Sequence, residues 1–107
     1  MNKDEILKKL RNMDVDTIDT LRDTKTLELK ETLTQYYIAI DDELVLKHKL
    51  RKEYEEEGNS ISKVELLVRR NDEVYLLKRK IVGLRSLVKK LELENKLVDK
   101  YFWKARG

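Results

Sequence analysis

Apolar residues run along this chain in two long rows, and both rows have helical spacing. In the C-terminal half, Leu67, Val74, Ile81, Val88, Asn95 and Phe102 recur at seven-residue intervals. Leu77, Leu84, Leu91, Val98 and Ala105 form a second such series, with Arg70 breaking it at the start. Two interlocked seven-residue series place a narrow seam along one side of a helix. The pattern predicts a helix over residues 62–105, about 65 Å long at ~1.5 Å per residue. Gly83 lies off the seam, and Asn71-Asp72 is the other weak point; neither is expected to do more than bend the helix.

In the N-terminal half, Leu29, Leu33, Tyr36, Ile40 and Leu44 line one helical face, and Leu50 and Tyr54 extend it beyond Lys47. This predicts a helix over residues 17–57, capped by Asp16 with Asp19. The threonines near its start lower helix propensity there. Before it, Ile6, Leu7 and Leu10 give a short amphipathic helix over residues 3–12, with Asn2 and Glu5 as a capping box. Between the long helices, residues 58–62 read as a turn. Gly58 or Asn59 takes the left-handed position, and Ser62 with Glu65 caps the helix that follows.

Two long helices joined by so short a turn run antiparallel, with residue i opposite roughly 118 − i. That register sets Asp41, Asp42 and Glu43 against Lys78, Arg79 and Lys80. It sets Glu28 and Glu31 against Lys89 and Lys90, and Lys47, Lys49, Arg51 and Lys52 against Glu65, Asp72 and Glu73. The predicted fold is all-α: a short N-terminal helix and then a long antiparallel hairpin, coiled-coil-like, with residues 1–107 as a single domain. The C-terminal helix carries more apolar surface than one partner helix covers, with Leu76, Leu87 and Tyr101 flanking the seam. The N-terminal helix covers part of it in one arrangement. In the other, two copies pair through Val74, Leu77, Ile81, Leu84, Val88, Leu91 and Asn95, where a seam asparagine sets register, and build a helical bundle.

Composition narrows the function classes. Among 107 residues there is no Pro and no Cys, and only three Gly. Disulfides and thiolate metal sites are therefore excluded. Charged residues make up 42% and apolar ones 40%, too apolar for a disordered chain and too charged for a membrane protein. No apolar run approaches the ~20 residues that span a bilayer. The start of the chain lacks the apolar stretch of a signal peptide, so the reading is a cytoplasmic protein with no membrane partner. The net charge of +3 hides an asymmetry. Residues 1–58 hold 11 Lys and Arg against 15 Asp and Glu, and residues 59–107 hold 13 against 6.

Little in the chain points to catalysis. His48 is the single histidine, and its helical neighbours Leu44, Val45, Arg51 and Lys52 offer no carboxylate to orient it. The carboxylates of Asp41, Asp42 and Glu43, and of Glu53 and Glu57, suit a solvated helix surface. Gly58, Gly83 and Gly107 stand too far apart for a phosphate loop. No enzyme activity, metal or cofactor is expected.

Binding chemistry is better represented. Lys78, Arg85, Lys89, Lys96 and Lys100 fall within about 60° on one side of the second long helix. Such a stripe tracks a phosphate backbone or an acidic protein surface, or else neutralises the acidic half of its own chain. Tyr101 and Trp103, flanked by Lys and Arg, have the character of interface anchors, or of a local cluster with the N-terminal helix. In general style the chain is similar to small accessory proteins of phages and mobile elements, a likeness that carries no motif and transfers no residue roles. The sequence points to a non-enzymatic interaction protein, acting as inhibitor, adaptor or assembly factor. Its partner is expected to be another protein, with self-association as a homodimer or nucleic-acid binding through the stripe as the alternatives.

Overall fold

The computed structural model describes residues 3–106, which form four helices: α1 (Lys3–Arg11), α2 (Val15–Glu56), α3 (Ile61–Arg70) and α4 (Asp72–Arg106). No strand occurs among the described residues. The chain's contacts group into two compact units, Met1–Leu33 with Ser86–Gly107 and Thr34–Arg85. Within the first, α2 runs antiparallel to α4, and within the second it runs antiparallel to α3 and the start of α4.

The termini of the helices follow from local hydrogen bonding. Asp14, rather than Asp16 with Asp19, caps α2: its Oδ1 accepts the Thr17 N–H at 2.7 Å. The threonines that weaken the start of α2 return their hydroxyls to the preceding turn. Thr20 donates to the Asp16 carbonyl, Thr24 to Thr20 and Thr26 to Arg22. The end of α2 is a Schellman motif. Gly58 adopts φ +88°, its N–H bonds the Glu55 carbonyl, and the Asn59 N–H reaches back to Tyr54. Ser60, not Ser62, caps α3, accepting the Lys63 N–H. The Asn2 capping box lies outside the described residues.

The predicted helix over 62–105 is two helices. Asn71 has extended backbone, with ψ 130°, and serves both ends of the break. Its N–H bonds the Val68 carbonyl, closing α3, while its Oδ1 accepts from the N–H groups of Glu73 and Val74, opening α4. Its Nδ2 donates to the Tyr54 hydroxyl on α2 at 3.3 Å. One side chain therefore does what a bend cannot: it satisfies helix ends that would otherwise be orphaned. Gly83, the other weak point, lies inside an unbroken α4. Asn71→Ala removes the cap and is expected to lower stability by about 1 kcal/mol in urea unfolding, with Asn71→Asp losing less because it keeps the capping oxygen.

In the unit Met1–Leu33 with Ser86–Gly107, the core is Ile6, Leu10, Ile18, Val98 and Phe102, with Met13, Leu21 and Tyr101 packed against it. Antiparallel register is fixed by Arg22–Asp99 at 2.9 Å and Lys25–Glu94 at 2.9 Å. Asn95 pins it further. Its Nδ2 donates to the Lys25 carbonyl at 3.1 Å, and its Oδ1 lies 3.3 Å from the Thr26 hydroxyl oxygen. The seam asparagine sets register as its chemistry suggests, but between helices of one chain.

In the unit Thr34–Arg85, the core is Leu50, Val64, Val68 and Val74, flanked by Leu46 and Tyr54. Here α3 folds back on the end of α2, held by Arg51–Glu65 at 2.8 Å. Beyond the Asn71 break, the Arg85 side chain donates to the Tyr36 hydroxyl at 3.3 Å.

Candidate interaction surfaces

Residues of the expected dimer seam are taken up by the chain itself. Val74, Ile81, Val88 and Leu91 are buried, and Leu77, Leu84 and Asn95 half-buried. The seam has an internal partner because α2 presents a matching seven-residue face to it.

All five residues of the basic stripe are exposed on α4. Lys78 and Arg85 belong to one unit, and Lys89, Lys96 and Lys100 to the other. Among the described residues none of the five forms an ion pair; the Arg85 head group bonds Tyr36 instead. Most of the predicted cross-helix charge matching is absent for a geometric reason. Arg51–Glu65 forms, but Glu43 turns to Lys47 one helical turn away, and Glu28 to Lys25. Asp41, Asp42 and Glu31 on α2, and Lys78, Arg79, Lys80, Lys89 and Lys90 on α4, are all exposed, so these charges face solvent rather than one another across the helix pair.

Within the unit that holds α1, part of this cationic surface rims a groove of about 440 Å³. Lys3, Lys89 and Lys90 stand at its edge, and Ile6, Leu93 and Leu97 line it. Leu93 is 51% exposed, so the lining is open to an incoming side chain. Glu94 also borders the groove, but its carboxylate is buried and held by Lys25, leaving lysine as the available charge.

The aromatic residues at the end of α4 divide. Tyr101 packs on the core beside α1, the local cluster rather than a free anchor. Trp103 is 54% exposed and meets Phe102 edge-on at 5.3 Å. The Arg22 guanidinium lies 4.5 Å from the Phe102 ring centre and 5.6 Å from that of Trp103. That contact holds Arg22 in place for Asp99.

Sequence reasoning missed the outer face of α2. Tyr37, Ile38, Leu44 and Val45 are each more than half exposed there, with Asp41 and Asp42 between them. The apolar spacing places Leu44 on the inward face, but the residue is 61% exposed. His48, exposed, follows one turn on. Among the described residues no three of Asp, Glu or His converge to hold a metal ion, and no helix is long and apolar enough to cross a membrane.

Two carboxylates are tuned by their partners. Hydrogen bonds from Thr17 hold Asp14 below the usual aspartate value, and the hydrogen bond from Arg51 does the same for Glu65. Both shifts belong to a helix cap and a surface ion pair, and neither creates an acid or base.

No protein-family model, curated protein or solved structure matches the chain.

Proposed function

We propose that the protein is a non-enzymatic docking module that takes an acidic, partly apolar segment of another protein in the groove between α1 and α4. The observation that carries this reading is the groove's construction: Lys3, Lys89 and Lys90, which form no ion pair among the described residues, beside Ile6, Leu93 and Leu97. Apolar side chains of the partner would supply affinity, and its carboxylates would fix orientation against the lysine rim. Such a protein acts by occupying its partner, as an inhibitor, adaptor or assembly factor does. Nucleic-acid binding is the second reading, favoured by the row of exposed lysines Lys89, Lys96 and Lys100, which needs no apolar lining.

One experiment separates the two. A labelled amphipathic peptide rich in Glu and Leu, and a labelled DNA duplex, are titrated with the protein and followed by fluorescence anisotropy. Docking predicts that Lys89→Glu with Lys90→Glu weakens peptide binding by about tenfold or more, and that Leu93→Asp weakens it comparably. If the duplex binds instead, with an affinity that falls steeply with salt and ignores Leu93→Asp, the nucleic-acid reading replaces it. Binding of neither probe removes the groove from consideration.

A further inference from the structure

The unit Thr34–Arg85 carries two outward faces of equal length and opposite charge. On α2, Tyr37 and Ile38 are followed seven residues later by Leu44 and Val45, with Asp41 and Asp42 between. On α4, Tyr75 and Leu76 are followed seven residues later by Val82 and Gly83, with Lys78 and Arg79 between. Tyr75, Leu76 and Val82 are more than half exposed, as are the four apolar residues on α2. No basic residue interrupts the α2 segment and no acidic one the α4 segment. Among the described residues no ion pair joins Asp41 or Asp42 to Lys78 or Arg79, so each face keeps its charge for something outside the chain.

Gly83 adds an independent observation. A glycine inside a helix is disfavoured by about 1 kcal/mol relative to alanine. Nothing in the chain requires the small residue, because a Cβ built there meets no atom within 4 Å. Gly83 instead sits in a shallow groove with Tyr75, Lys78, Arg79 and Val82. That is a recess on the surface, next to basic side chains.

We infer that the acidic-apolar face of α2 docks on the basic-apolar face of α4 in a second copy of the chain. Laid antiparallel, the two segments bring the Tyr37 ring to the Gly83 recess and Val45 to Tyr75, with Asp41 and Asp42 meeting Lys78 and Arg79. Both faces point away from the internal seam, α2 on one side and α4 on the other. One copy therefore cannot offer both to the same neighbour, and the contact is head-to-tail. This association uses the unit Thr34–Arg85 and is independent of the groove at α1.

The test is sedimentation velocity on the full chain from ~1 to ~300 µM at low and high salt. Wild type is expected to gain mass with concentration, without a plateau at the dimer, and to lose mass as salt rises. Asp41→Lys with Asp42→Lys, and separately Lys78→Glu with Arg79→Glu, should each shift association to about tenfold higher concentration or beyond. Mixing the two variants should restore it, since each then offers the charge the other lacks. Gly83→Ala fills the recess and should weaken association while raising the thermal midpoint of the dilute protein. A wild type that stays monomeric at low salt overturns the inference, as do variants that associate like wild type or a mixture that stays apart.

Discussion

Phe102→Ala is expected to destabilise the protein by about 3–5 kcal/mol, the range for removing a buried phenylalanine. The ring is 5% exposed and closes a core made by three helices: Ile6 and Leu10 from α1, Ile18 from α2 and Val98 from α4. Its loss leaves a cavity that these side chains fill only in part, because α1 is short and has no other core to retreat to. Arg22 would also lose the ring surface that it covers at 4.5 Å. Urea unfolding measures the loss, and amide exchange locates it: protection should fall first in α1, whose Ile6 and Leu10 are anchored on that ring. Phe102→Leu keeps most of the volume and should cost less than about 1.5 kcal/mol. A cost for Phe102→Ala below about 1 kcal/mol would mean that α1 is not packed as described.

The same residue shows why part of this fold could be read without a structure. Phe102 belongs to a seven-residue series that is aliphatic or aromatic at nearly every step, so hydrophobicity alone traces the face of α4. The matching face of α2 is not written that way. Its inward positions run through Ile18, Arg22, Lys25, Leu29, Thr32, Tyr36, Ala39, Glu43, Leu46 and Leu50, all buried or half-buried. Four of them are polar enough to be passed over. Following apolar residues instead leads from Leu29 to Leu33, Ile40 and Leu44, and Leu44 is 61% exposed. The available signal was the strict alternation of three and four residues, kept even where Thr32 and Glu43 stand in place of a hydrophobe. Thr32 is tolerated because its hydroxyl bonds the Glu28 carbonyl at 2.8 Å, and Glu43 because Lys47 meets it at 2.7 Å.

Candidate binding residues were legible to a different degree. Exposure of the basic stripe follows from its angular distance from the α4 seam, and both the stripe and the seam were visible in the sequence. The groove beside it was not, because it depends on where α1 lies, and two turns of amphipathic helix do not say which partner they cover. The α2 face of Tyr37 and Val45 was hidden by the misreading of the inward row: once Leu44 is placed inside, the apolar residues beside it look like its margin.

The second large effect concerns the pair that α2 and α4 bury between them. Lys25→Met should cost about 3–5 kcal/mol, because it leaves the Glu94 carboxylate buried without a counter-charge. The side chains of Lys25 and Glu94 are 19% and 6% exposed, and they meet at 2.9 Å. Burial opposes the Lys25 charge, but the hydrogen bond and charge of Glu94, and then of Glu28, outweigh it and raise the lysine pKa above 10.5. A folded-state pKa above the unfolded one sets the sign of the pH dependence. The pair's contribution is complete below pH 10.5 and declines as pH rises through the folded value. In Lys25→Met that alkaline loss should disappear from thermal melts. Lys25→Met with Glu94→Leu tests whether the cost belongs to the pair or to the stranded charge. If the stranded charge dominates, the double variant returns to within about 1 kcal/mol of wild type or exceeds it. If it stays as unstable as the single variant, the pair itself holds α2 against α4, and the register set by Asn95 should loosen with it. Exchange at the amides around Lys25 and Asn95 would show that loosening directly.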